Sequence, residues 1–338
     1  MSVNQETFEL NFYKWEKEFK DKPYLRQPIG EAWEEYTWGQ VGDMARRLAS
    51  GLKSLNLREG AHIGIYSKNC REWIISDLAI VMAGYVSVPF FPSLNGKELS
   101  YIMDYGDVDA LFVGKIETWD EIKNDLSDEM PIIRFPKYDG CSDVTKGYEW
   151  HEFINNHDPI PNPHTPKLSD LWTIIFTSGT TGNPKGVMLT YQAIDGIKVV
   201  LDDPNNPLGI KHTGNNDFIS YLPLNHIFER VVIEWCSFRY GGTISFVESI
   251  EKFGQNLKSA QPHVFAAAPR VWTKLQMGIL SKFPQKRLDT LLKIPILSSI
   301  LKKLIRKGLG FSKVRVTVSG SAPMPVELIE WFRKVGVY

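Results

Sequence analysis

Cysteine is scarce: Cys70, Cys141 and Cys236 are the only three in 338 residues, and no two form a C-x-x-C pair. That argues against a disulfide framework or a cysteine zinc site, and it suits a reducing cytosol. Charge of one sign is missing too, with Lys+Arg and Asp+Glu at 39 each. A neutral chain offers no field for nucleic acid, which is not expected as a partner. No stretch reaches the roughly 18 apolar residues that cross a bilayer. The apolar segment from Trp73 to Val88 is broken by Asp77 and Gly84. Residues 1–20 mix acids and aromatics and have no apolar centre, so they do not read as a signal peptide. Two phosphate-binding patterns are also absent, G-x-x-x-x-G-K-[ST] and G-x-G-x-x-G. The expectation is a soluble cytoplasmic protein with one large or two medium domains.

What remains is a regular alternation. Helical patterns, such as Trp38–Leu55 and Arg71–Gly84, alternate with short apolar runs. Those runs include His62–Tyr66, Val86–Pro89, Ala110–Val113, Ile132–Arg134, Thr173–Phe176, Phe218–Leu222, Thr243–Phe246, Val264–Ala267 and Arg315–Ser319. The pattern predicts an α/β fold with mostly parallel sheets flanked by helices. Four prolines between His157 and Pro166 predict a linker between subdomains.

The most informative run is Phe176-Thr-Ser-Gly-Thr-Thr-Gly-Asn-Pro-Lys-Gly186, directly after an apolar strand candidate. Glycines let the backbone approach a ligand, and successive N–H groups in such a turn form a nest for anionic oxygens. Thr177, Ser178, Thr180 and Thr181 add hydroxyl donors, and Lys185 adds a point charge suited to phosphate. Such a loop fits a nucleotide polyphosphate.

This run closely resembles the signature of the adenylate-forming enzymes: acyl-CoA synthetases, peptide-synthetase adenylation domains and luciferases. Tyr221-Leu-Pro-Leu-Asn-His-Ile-Phe-Glu-Arg230 resembles the second signature in its long-chain fatty-acid CoA ligase form. Ala268-Pro-Arg-Val-Trp-Thr-Lys274 is similar to a segment of the same branch, and Val318-Ser-Gly-Ser-Ala-Pro-Met-Pro325 to the adenine-side turn. Tyr36–Val41 and Met82–Pro92 resemble two weaker N-terminal signatures. The order and spacing agree across residues 30–338.

The resemblance implies ATP-dependent activation of a long-chain fatty acid, first to acyl-AMP and then to acyl-CoA, with ATP, magnesium and coenzyme A. It assigns Thr177, Ser178, Gly179, Thr180, Thr181, Gly182 and Lys185 to nucleotide phosphates, and Gly320, Ser321 and Ala322 to adenine. Thr181 is the candidate metal contact. His226 would line the channel beside the acyl carboxylate and α-phosphate, making His226 and Lys185 the catalytic candidates. The alternative for His226 is a buried ring satisfied by a backbone carbonyl. Glu229 and Arg230 are read as structural, and Arg230 stands where one branch carries a gating tryptophan.

Family members continue past the position of Tyr338 with a Tyr-Gly-x-Thr-Glu stretch, a ribose-binding aspartate, a hinge and a C-terminal domain. The chain is therefore expected to be a truncated N-terminal AMP-binding domain that binds ATP weakly and turns over negligibly. Between Lys282 and Lys307, eight basic residues stand against Asp289 alone, with leucine and isoleucine at helical spacing. This is read as a solvated helical hairpin, with peripheral contact to an anionic membrane as the alternative. Two other functions stay open, an adenylating ligase for a different carboxylate and a non-catalytic nucleotide-binding scaffold.

Overall fold

The computed structural model describes residues 8–177, 184–202, 210 and 212–338. Its strands, in chain order, are β1 (Pro23–Ile29), β2 (Ala32–Thr37), β3 (His62–Ser67), β4 (Val86–Phe90), β5 (Val108–Gly114), β6 (Ile132–Arg134), β7 (Tyr148–Glu149), β8 (Leu171–Thr177), β9 (Lys185–Thr190), β10 (Asp217–Ser220), β11 (Thr243–Phe246), β12 (Val264–Ala267) and β13 (Val316–Ser319). They form a six-stranded sheet, β13-β12-β10-β11-β1-β2, and a seven-stranded sheet, β7-β6-β5-β3-β4-β8-β9. Pairing is parallel except at one edge of each sheet, where β1 meets β2 and β8 meets β9 antiparallel. The fold is the mixed α/β arrangement expected.

Side-chain alternation sorts the residues into layers. Ile63 and Ile65 join the central core while Tyr66 joins the core on the far face of the same sheet. In the other sheet Phe218 points to the central core and Ile219 outward. The helices Trp38–Ser54 and Arg71–Met82 fill the space between the two sheets. Arg71–Met82 is buried on every side, which its near-continuous apolar sequence permits.

Two weaker motifs prove to be local structural signals. Thr37 caps the helix Trp38–Ser54 in a capping box with Gln40. Gly84, at φ +73°, turns the chain out of the helix Arg71–Met82 and into β4.

Four strands are missed by the sequence expectation. β1 holds Pro23 and Pro28, β2 is polar with Glu34 and Glu35, β7 is two residues long, and β9 begins at Lys185 inside the glycine-rich run. Segment 157–166, expected to be a linker, lies against the helices Trp38–Ser54 and Arg71–Met82. It crosses from β7 at one edge to β8 near the other edge of the same sheet, held by Ile160 N–H to Arg46 O and His164 N–H to Met82 O.

Candidate active site

Open parallel sheets bind ligands beyond the carboxyl ends of their strands, where the strand order reverses. Both sheets have such a point. In one, the chain passes from β10 to β11 and returns as β12 on the opposite side of β10. In the other it passes from β3 to β4 and returns as β5 beyond β3. The two carboxyl ends meet at one buried residue, Asn69, just after β3. Its Nδ2 donates to Ser220 Oγ at 2.8 Å and to Leu222 O at 2.6 Å, and its Oδ1 accepts from Leu224 N–H at 3.0 Å. Lys115, also buried, donates to Asn69 O at 2.9 Å and to Val247 O at 3.2 Å. Burial lowers the pKa of that ammonium.

The loop so held carries His226. Its backbone caps the short helix Ile227–Glu229, and Nδ1 accepts the Phe228 N–H at 3.2 Å. Assigned from that bond, the neutral ring carries its proton on Nε2. The ring is exposed. The alternative of a buried histidine bonded to a carbonyl is overturned, because a helix-start N–H takes the place of that carbonyl and leaves the second nitrogen free to donate. Asn225 beside it is buried, and its Nδ2 has no partner among the described residues. A buried donor of this kind is costly unless something accepts from it.

Glu229 closes the loop from below. One carboxylate oxygen accepts from Ser220 Oγ at 3.0 Å and Tyr221 N–H at 2.9 Å, and the other has no partner among the described residues. Burial pushes its pKa up to about 8, against the lowering effect of those hydrogen bonds. Arg230, wholly buried, opens a π-helix at Arg230–Trp235, a rare element that often marks functional sites. Its guanidinium donates to Asp77 at 2.7 Å, Glu234 at 3.0 Å and Thr173 Oγ1 at 2.7 Å, between the rings of Trp73 and Trp172. The structural assignment of Glu229 and Arg230 agrees with these contacts.

Thr173 lies on β8, whose end and return frame the glycine-rich run. Thr177 and Lys185 face each other across the β8–β9 stem, both exposed. The described ends of the run thus lie on two paired antiparallel strands. Hydroxyls, backbone N–H groups and Lys185 would have to hold an anion there. Ser178, Gly179, Thr180, Thr181 and Gly182 lie outside the described residues.

The third group lies past β13. Gly320 N–H bonds Ala267 O at 3.3 Å, and a Cβ added at Gly320 would stand 2.2 Å from the Phe228 ring. The absence of a side chain at Gly320 lets this turn press against the helix that His226 caps. Ser321 takes φ +66°, a left-handed conformation rare outside glycine, and Ser321 and Ala322 are exposed. The next helix starts at Val326. The His226 and Gly320 turns thus meet directly, and the hairpin is tied to them through Thr173 and Arg230. Asn69, Lys115 and Asn225 were not among the sequence candidates.

This arrangement, two parallel sheets with a hydroxyl-rich hairpin and a glycine turn at their carboxyl ends, is that of an adenylate-forming domain. The chain belongs to the AMP-binding enzyme family, whose profile matches residues 12–337. It is similar to long chain acyl-CoA synthetase 5 of Arabidopsis thaliana, 28% identical over 88% of this chain and 49% of that protein. It is 30% identical to long-chain-fatty-acid–CoA ligase 5 of Rattus norvegicus over 88% of this chain and 48% of that one. The chain spans about half the length of the curated relatives it matches. Among solved structures, the anthranilate CoA ligase AuaEII with anthranoyl-AMP superposes with TM-score 0.76 at 19% identity, over 98% of this chain and 58% of that one. The N-terminal domain of FACL13 from Mycobacterium tuberculosis gives 0.70 at 17%, over 98% and 74%.

Proposed function

We propose that this chain is the nucleotide-binding portion of an acyl-CoA synthetase that activates a long-chain fatty acid. The carboxylate attacks the α-phosphorus of ATP, the bond to the β-phosphate oxygen breaks, and pyrophosphate leaves. A coenzyme A thiol then attacks the acyl carbon and releases AMP. The chemistry needs a grip on the departing pyrophosphate and donors aimed at charge building on the α-phosphate. Lys185 and Thr177 at the hairpin mouth, with Thr180, Thr181 and the backbone of Ser178, Gly179 and Gly182, supply the first. His226 Nε2–H supplies a donor for the second, and the unpartnered Asn225 amide stands next to it. Gly320, Ser321 and Ala322 form the adenine-side wall.

Magnesium is the proposed co-ion because polyphosphate is normally handled with it. Among the described residues no group of three His, Cys, Asp or Glu could hold a metal. Thr181 remains the only proposed contact, and no step is routed through the ion. The observation that carries the reading is the contact of the His226 turn with the Gly320 turn, with the Lys185 hairpin tied to the same helix. The names of the curated relatives favour a long-chain acid. We further propose that residues 1–338 correspond to the large N-terminal domain and need a second domain for full turnover.

The test is ATP–pyrophosphate exchange with palmitate, octanoate, acetate and cinnamate, on this chain and on the chain joined to the C-terminal half of a relative. Exchange in the joined form, strongest with palmitate and lost in His226→Ala, is the expected result. A preference for cinnamate or acetate would overturn the substrate, and ATP binding without exchange in either form would leave a nucleotide-binding scaffold.

A further inference from the structure

The basic segment forms two helices, Gln285–Leu292 and Pro295–Leu309, broken at Pro284 and Pro295. Leu288, Leu301 and Ile305 bury into the core beneath the six-stranded sheet, so the hairpin is firmly seated. The opposite face of the second helix is unusual. Ile296, Ile300 and Leu304, spaced four apart and therefore on one stripe, are 75%, 51% and 55% exposed. Leu297 and, in the turn before the helix, Ile294 are exposed as well. Monomeric surfaces rarely display a contiguous apolar strip of this kind without a use for it.

Lysines border the strip. Lys303 and Lys307 fall on the same side of the helix, both exposed, and neither makes an ion pair among the described residues. Lys293 is exposed at the turn beside Ile294. The single acid of the hairpin, Asp289, is already taken by Lys334 at 2.8 Å. Arg306, by contrast, turns inward to the carbonyls of Gly336, Phe311 and Val314 and takes no part. The outcome is an exposed apolar stripe with uncompensated positive charge on a protein whose net charge is zero.

We infer that the helix Pro295–Leu309, with the turn before it, docks on an anionic phospholipid surface. The helix lies in the plane of the headgroups, Ile296, Ile300 and Leu304 enter the acyl boundary, and Lys293, Lys303 and Lys307 meet lipid phosphates. Interfacial helices combine this same pair of features. A second copy of the chain is disfavoured, because self-pairing brings two uncompensated lysine sets together. The inference does not depend on which acid is activated or on any turnover.

The experiment is co-sedimentation of the 338-residue chain with vesicles of phosphatidylcholine alone, or with about 30% phosphatidylglycerol. The expected result is binding at least about tenfold tighter to the anionic vesicles, weakening as salt screens the lysines. Ile300→Glu with Leu304→Glu should reduce binding by about a hundredfold, and Lys303→Glu with Lys307→Glu by at least about tenfold. All four positions are exposed, and circular dichroism verifies that each variant is folded. Should a glutamate variant misfold, Ile296→Cys carrying an environment-sensitive dye replaces it, with a blue shift expected on anionic vesicles only. Failure of the folded wild-type chain to sediment, equal sedimentation of all variants, an unshifted dye, or concentration-dependent dimerisation abolished by the glutamate pair would each overturn the inference.

Discussion

Replacing Arg230 by Met keeps most of the side-chain volume and removes the charge that three elements share. In the native fold the guanidinium lies 2.7 Å from Asp77, 3.0 Å from Glu234 and 2.7 Å from Thr173 Oγ1, with no solvent exposure. Breaking a buried ion set by deleting one partner costs about 3–5 kcal/mol, because the remaining charge is left in low dielectric. For a chain of this size that corresponds to a fall in Tm of roughly 4–7 °C. The penalty should depend on pH. Burial, then the Asp77 charge, already hold the Glu234 carboxyl well above the usual carboxylate range, while Arg230 pulls it down. Without Arg230 the folded-state pKa rises further above the unfolded value. Stability from a group of that kind is fully present below the unfolded pKa and is lost as pH rises towards the folded one. The Arg230→Met penalty should therefore be largest near about pH 8 and shrink towards about pH 5, by at most about 1.4 kcal/mol per pH unit. Urea titrations of wild type and Arg230→Met at the two pH values measure it. Adding Asp77→Asn and Glu234→Gln should recover most of the loss, since a neutral set of similar shape removes the stranded charge. A penalty below about 1 kcal/mol, or one unchanged across that pH range, would refute the view that Arg230 holds uncompensated carboxylates in the core.

Three further outcomes are expected. The Glu229 carboxyl, raised by burial from its ordinary 4.5 to about 8, makes the fold lose stability progressively as pH climbs between those values; Glu229→Gln should flatten that slope in urea titrations, and an unchanged slope would assign the proton elsewhere. Gly320→Ala puts a methyl 2.2 Å from the Phe228 ring; a loss of about 1–3 kcal/mol is expected, with weaker AMP binding by calorimetry, and a silent substitution would show that the two turns do not press together. Asn69→Ala removes the amide that bonds Ser220, Leu222 and Leu224, exposing buried partners; thermal denaturation should show about 2–4 kcal/mol lost, against near-wild-type behaviour if the loop holds itself.

The parts of the site that a sequence can display are those whose meaning is local. The run Thr177–Gly186 has the composition of a phosphate-type loop, and Gly320 stands out through its resemblance to a family turn. The parallel strands, such as Ile63–Tyr66 and Phe218–Ser220, are visible because burial on both faces demands an unbroken apolar run. What stays hidden is everything that depends on distant partners. Glu229 and Arg230 look like an ordinary charged pair, yet both are fully buried, and Arg230 bonds to Asp77 and Thr173 far back in the chain. Asn69 and Lys115 sit in unremarkable turns, and their partners lie from 46 to 155 residues away.

That division has a physical reason. A phosphate-type loop must be open and polar wherever it occurs, so its residue types are fixed by the ligand. The groups beneath it have only to fix two loops from different sheets in one place, and any hydrogen-bonding residue of the right length could do so. Here the chain uses one amide, one lysine and one arginine, all withdrawn from water, at the junction of β3, β8 and β10. Such a junction is expensive to desolvate and cannot relax gradually, because losing one bond strands a buried partner. A junction of that kind fixes the His226 loop relative to the Lys185 stem, because Asn69, Lys115 and Arg230 bond across both sheets.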